Sequence, residues 1–337
     1  MGPRHPNIGD VARRAFVSKT TVSHVLNGTR FVSEGTRQRV LQAVAELGYR
    51  PSAVARSLKT AHTGTIGLVL PDVSPQFFTD LLYGLEDVLR PAGYGLLVCH
   101  TDETSEDAAH YLELLLRQRV EGIIAAPTSG NRDLLEQAVA WRTPVVLVDR
   151  TCAGLESPFV GVDNRSGARR GTRHLIENGH RRLGVIAGPQ QVSTLVERLL
   201  GFRQALEEEG IPLPEEWIAT CPANIEGARQ AARQILSLPQ RPTALFLNNN
   251  VLSLGALSAV RELGLRCPAD IALVGFDDHP WAAVSDPPLT VVRQPVRRIG
   301  QVAAEMLCSL IRGQGLAQPR VILDCDLVLR QSCCRAH

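Results

Sequence analysis

The chain has 337 residues, a formal net charge of +2 and 44% hydrophobic residues, enough apolar material for two or three packed units. No apolar run reaches the length of a membrane span, and no hydrophobic segment follows Met1-Gly2-Pro3-Arg4, so neither a membrane protein nor a secreted one is expected. The eight cysteines form no C-x-x-C pair and Cys333-Cys334 read as free thiols, which fits a reduced, cytoplasmic setting with no metal site.

Charge is unevenly spread. Residues 1–60 hold ten Lys/Arg against three Asp/Glu, whereas the remainder carries five more acidic than basic residues. A basic head on an acidic body points to a polyanion partner for the head. Within it, Asn7 can cap a first helix whose Ile8, Val11, Ala12 and Ala15 share one face, with Asp10 placed in the first turn. Phe16-Val17 reads as a turn. Ser18 can cap a second helix through Leu26, with Val22, Val25 and Leu26 facing inward and Asn27-Gly28 ending it. Lys19, Thr20, Thr21, Ser23 and His24 then lie near the start of that helix, where a helix-turn-helix places its base-reading residues. Ser33 reads as the cap of a third helix with Val40, Leu41, Val44 and Leu47 as its apolar stripe and Gly48 as its stop. Three helices make a small core of modest stability.

Arg50 to Leu58 reads as a short helix opened by Pro51, too short to be stable alone in water, and Lys59 to Gly64 as a linker. From Thr65 the pattern alternates. Strands are predicted at Thr65–Leu70, Gly95–Cys99, Gly122–Ala126 and Val145–Val148, and helices at Phe77–Leu89, Ser105–Gln118 and Asp133–Trp141. A second round begins near Asp163. Its helices are predicted at Arg165–Glu177, Leu195–Glu208, Ile225–Leu236 and Val251–Leu263, and its strands at Leu183–Ala187, Trp217–Thr220, Ala244–Leu247 and Ile271–Gly275. A helix over Arg297–Arg312 and a strand near Val321–Leu329 close the chain. Continuous apolar runs such as Val145-Val146-Leu147-Val148 fit parallel sheets covered on both faces, and two rounds imply two lobes with a small-molecule cleft between them.

The runs IGDVARRAFVSKTTVSHVLNG, VSEGTRQRVLQAVAELGYRPSAVARSLKT, DNRSGARRGTRHLIENGHRRLGVIAG and ADIALVGFDDHPWAAVSDPPLTVVRQPVRRIG resemble the lactose-repressor (LacI/GalR) family of bacterial transcription regulators over nearly the whole chain. The resemblance implies an all-α helix-turn-helix head plus an α/β two-lobed periplasmic-binding-protein-like body built on two doubly wound parallel sheets. The implied divisions are a DNA-binding domain over 1–49, a hinge helix and linker over 50–63, a first lobe over 64–163 with 293–324, and a second lobe over 164–292 with 325–337. Three crossovers would fall near 163–164, 291–293 and 324–326. By the same resemblance Lys19, Thr20 and His24 read bases, while Ser18, Thr21, Ser23 and Asn27 contact phosphate or support the register. Ala55, Arg56 and Leu58 act from the hinge, with Leu58 as a minor-groove wedge. The effector would be held by Ser74, Phe77, Phe78, Thr128 and Asp149 of the first lobe and Thr194, Arg198, Asn249 and Asp277 of the second. Polar side chains with an Arg suit a sugar or a sugar acid.

The chain departs from the family pattern at four places. His24 stands where Arg is usual, Phe16 where the turn usually has Gly, Asn249-Asn250 where Asn-Asp is common, and Pro222 near a usual aromatic residue. Fewer carboxylates beside Arg198 tilt the expectation toward an acidic ligand. A homodimer on a pseudo-palindromic operator is expected, without a leucine-heptad tail for tetramers. No G-x-G-x-x-G opens a helix and no G-x-S-x-G elbow occurs, so neither an enzyme nor a cofactor is expected.

Overall fold

The computed structural model describes residues 6–49, 62–71, 76–101, 105–128, 132–152 and 154–333, of which 105–108 only by their backbone. Met1–Thr63 and Gly64–His337 form two compact units.

In the first unit lie α1 (Ile8–Ala15), α2 (Lys19–Asn27) and α3 (Glu34–Leu47). Asn7 and Asp10 form a reciprocal cap: Asn7 Oδ1 accepts from Gly9 N at 2.8 Å, and the Asp10 carboxylate accepts from Asn7 N at 2.8 Å. Ser18 Oγ accepts from Thr21 N at 3.0 Å to open α2, and Gly28 ends it in the left-handed region at φ 63°. The core is Val11, Ala12, Ala15, Val22, Val40 and Ala43, with Ile8, Val17, Val25, Leu26, Val44 and Leu47 packed on it. Two expectations are corrected here. Leu41 is 40% exposed and Ala43 takes its place, because positions 40, 43, 44 and 47 share a helical face and 41 lies off it. Ser33 Oγ donates to Thr36 Oγ1 instead of capping a backbone amide.

The second unit contains two sheets of one topology. The first comprises β1 (Thr65–Leu70), β2 (Gly95–His100), β3 (Gly122–Ala125), β4 (Val145–Val148), β5 (Phe159–Val162) and β11 (Arg320–Leu323), in the order β11-β5-β4-β3-β1-β2. The second comprises β6 (Leu183–Ala187), β7 (Ile218–Thr220), β8 (Ala244–Leu247), β9 (Ala272–Phe276), β10 (Thr290–Arg293) and β12 (Asp326–Val328), in the order β12-β10-β9-β8-β6-β7. All described pairings are parallel except β10 with β12. Every residue of β3, β4, β5, β6, β8 and β9 is buried, the physical reason for their uninterrupted apolar runs.

Helices α4 (Gln76–Leu89), α5 (Ser105–Arg117) and α6 (Arg132–Ala140) belong to the first round. α7 (Asn164–Glu177), α8 (Ser193–Glu208), α9 (Ile225–Leu236), α10 (Asn250–Glu262) and the short α11 (Pro280–Val284) belong to the second. α12 (Val296–Ile311) follows a strand of the second sheet but packs on α4 and on β3, β4 and β5 of the first. The chain thus passes between sheets after Val162, after Arg293 and after Leu323. Sequence reading missed β5, β10 and α11. The expected 291–293 crossover is itself part of β10, and the final predicted strand is two strands in different sheets. Gly161 interrupts β5 and only Val291 and Val292 are apolar in β10, so neither shows the uninterrupted apolar run that marks the equally short β4. No helix among the described residues is long and apolar enough to cross a membrane.

Candidate DNA-reading surface and effector cleft

Along α2 the polar side chains are tied to one another. Ser18 Oγ and Thr21 Oγ1 are 2.9 Å apart, Asn27 Nδ2 donates to Ser23 O at 2.9 Å, and His24 Nδ1 lies 2.8 Å from Thr29 Oγ1. Lys19 and Thr20 are exposed, without a side-chain hydrogen-bond partner among the described residues. Sequence reading missed Thr29, whose signal is only its place just beyond the helix-ending Gly28. Phe16 sits at φ 54°, ψ 47° and is 87% exposed, so the turn keeps the left-handed geometry that its usual Gly suits and Phe adopts it at a cost. Ala55, Arg56 and Leu58 lie outside the described residues.

Between the lobes of the second unit, beyond the carboxyl ends of the strands, is a cavity of about 530 Å³. Phe77, Phe78, Asp149, Thr194, Arg198, Asn249 and Asp277 line it, together with Arg150, Asn224 and Gln294. Pro222 and Ala223 form part of the wall, with Pro222 near the place where the family pattern has an aromatic residue. Thr128 is buried but is not on this wall, and Ser74 lies outside the described residues. Phe78 is 6% exposed and belongs to the core, meeting the half-buried Phe77 edge-on at 5.0 Å.

Arg198, 3% exposed, organises the second-lobe wall. Its Nε donates to Asn164 Oδ1 at 2.8 Å, and its Nη1 donates to Asn248 O at 3.0 Å and to Asp277 Oδ2 at 3.4 Å. Its guanidinium carbon lies 3.7 Å from the centroid of the Phe276 ring. No hydrogen bond of Nη2 is seen among the described residues. Asp277 also accepts from Gln294 Nε2 at 2.6 Å, which leaves Gln294 Oε1 buried and without a hydrogen-bond partner. Asn249 Oδ1 caps α10 by accepting from Leu252 N at 2.8 Å, so its Nδ2 is the atom available to the cavity.

The two lobes present matching turns. Asp149 after β4 and Asp277 after β9 are both left-handed, at φ 63° and 74°, and their amides donate to Val160 O and Val292 O of the next strand. The Asp277 turn is pinned from behind: Arg330 donates twice to the Asp278 carboxylate, at 2.8 and 2.9 Å. Asp149 lies 3.5 Å from Arg150 Nε, so each cavity aspartate has a guanidinium beside it. Burial pushes the nearby Cys325 thiol up to about 12, which keeps it protonated, and draws His279 below the usual imidazole range. Sequence reading missed Asn164, Asn248 and Gln294; Asn164 sits in the DNRSGARR run without having been given a role.

A helix-turn-helix unit joined to a two-lobed α/β body with an interlobe cavity defines a class of DNA-binding regulators. Residues 7–52 match the model of bacterial regulatory proteins of the lacI family, and 172–333 that of the periplasmic binding protein-like domain. The HTH-type transcriptional repressor PurR of Proteus mirabilis (strain HI4320) is 42% identical over 306 residues, covering 90% of each chain. Among solved structures, the lac repressor dimer bound to operator and the anti-inducer ONPF has a TM-score of 0.88 at 28% identity, covering 98% of this chain and all of that one. The transcriptional regulator CelR–cellobiose complex has a TM-score of 0.75 at 30% identity, covering 97% and 99%. The chain belongs to the LacI family and is a DNA-binding transcriptional repressor, not an enzyme.

Proposed function

We propose that this repressor acts in the cytoplasm as a homodimer on a pseudo-palindromic operator, and that a small, neutral, hydroxyl-rich molecule in the interlobe cavity controls it. Lys19, Thr20 and His24 read bases, and Ala55, Arg56 and Leu58 act from the hinge. The observation that carries the ligand class is charge balance. Two aspartates and two arginines line the cavity, each Asp beside an Arg, and Arg198 already shares Asp277. A free guanidinium would suit a sugar acid or phosphate, whereas a compensated one offers single donors and acceptors, as a neutral sugar requires. This favours the sugar over the sugar acid and carbohydrate-utilisation genes as targets, in keeping with the cellobiose complex of the similar regulator.

A second reading, favoured by Phe77 on the wall and by the similarity to PurR repressors, is a flat nitrogen heterocycle with donors and acceptors at its rim. Isothermal titration with neutral aldoses, cellobiose, aldonic acids, sugar phosphates and nucleobases distinguishes them. It is followed by gel shifts on a duplex selected from a random pool. Binding of a neutral sugar that alters the gel shift is the expected result. Binding confined to the acids and phosphates would sink the charge-balance reading, and binding confined to nucleobases would establish the second.

A further inference from the structure

His24 and Thr29 are five residues apart, a spacing that on a continuous helix would put them on different faces. They meet because α2 ends at Asn27 and Gly28 turns the chain back in the left-handed region, with open space around its α-carbon. Thr29 Oγ1 thereby reaches 2.8 Å from His24 Nδ1, while Thr29 itself is exposed and belongs to no core. We propose that Thr29 is a positioning residue for base reading: its hydroxyl donates to His24 Nδ1, holds the ring against the end of the helix, and places the ring proton on Nε2. The histidine then presents one outward donor, matched to the guanine N7 acceptor in the major groove. Without Thr29 the ring rotates and either nitrogen can carry the proton, so the same side chain would accept as readily as donate.

The inference rests on the reading of His24 as a base contact, and the test separates the two. The full-length protein selects a duplex from a random-sequence pool. Guanines of the selected half-site are then replaced one at a time by 7-deazaguanine, which lacks the N7 acceptor. Wild-type affinity should fall about five- to tenfold at one position of the half-site, within the range of a lost base contact. Thr29→Val should bind the unmodified duplex about as weakly as wild type binds the deaza duplex and be insensitive to that replacement. Thr29→Ser should restore the sensitivity. Affinity for unrelated DNA and its salt dependence should not change in either variant, since no phosphate contact is removed. If His24→Ala keeps the wild-type sequence ranking, His24 reads no base and the underlying reading falls. If His24→Ala loses the ranking while Thr29→Val keeps both ranking and deaza sensitivity, His24 reads alone and the role of Thr29 is overturned. If wild type is insensitive at every guanine although His24→Ala alters the ranking, the ring donates to no guanine N7 and the assignment is wrong.

Discussion

Arg198 is more deeply committed than a ligand-gripping residue needs to be. It ties Asn164 at the start of α7, the carbonyl after β8 and the aspartate after β9 into one buried knot. Removing one partner of a buried pair typically costs about 3–5 kcal/mol, because the other charge is left unpaired. Arg198→Ala should therefore both abolish effector binding and lower the melting temperature of the body. A variant that loses the ligand at unchanged stability would contradict the knot. Phe16 offers the opposite experiment. A non-glycine residue in the left-handed region costs roughly 1–2 kcal/mol, and Asn tolerates it better than Phe. The ring is 87% exposed, so little burial is lost on replacement. Phe16→Asn should raise the stability of the head by about 1 kcal/mol, read by hydrogen exchange of Val11 and Val22 amides in the intact protein.

The pairing of α4 with α12 depends on absent side chains. A Cβ on Gly84 would collide with the Arg297 carbonyl oxygen, and one on Gly300 with that of Leu81. Backbone cannot yield as a flexible side chain can, so Gly84→Ala should destabilise by about 3 kcal/mol or more. Gly35→Ala, in α3 with open space around it, should be neutral or stabilising by roughly 0.5–1 kcal/mol. Thermal melts of the two variants make the comparison. The same helix pair carries an ion pair: Arg297 donates to both Asp87 oxygens, at 2.7 and 2.8 Å, and holds that carboxyl at about 2. Because the folded value lies below the unfolded one, the pair contributes fully above the ordinary carboxylate range and is lost as pH falls toward about 2. The difference in denaturation midpoint between wild type and Asp87→Asn should be constant from pH 7 to about 5 and shrink below about 4.

For the whole molecule, the three passages between sheets make lobe angle the natural variable. A ligand touching both lobes shifts that angle by its differential affinity for the two arrangements and by nothing else. One helix-turn-helix makes few contacts, and two-fold pairing doubles them. Sedimentation equilibrium at micromolar concentration should show two chains. A strict monomer with unchanged operator affinity would exclude the dimer.

What the sequence determined by itself was local or periodic. Asn7, Ser18, Gly28 and Gly48 mark helix ends because capping is decided within one turn. Uninterrupted runs such as Val145–Val148 announce parallel sheets because both faces are covered. Motif resemblance brought seven expected residues to one cavity, yet said nothing of how their atoms are spent. That Asn249 gives its oxygen to a helix cap is local, but that Arg198 shares Asp277 and that Asn164 and Asn248 complete the knot depends on contacts spanning 34 to 79 positions. Only the folded sheets bring such positions together. The same holds for α12, which follows the second sheet in sequence but packs on the first, because its apolar stripe and Gly300 fit α4. Side-chain chemistry was legible in the chain; which charges lie beside one another in the cavity, the basis of the ligand class proposed above, depends on tertiary geometry.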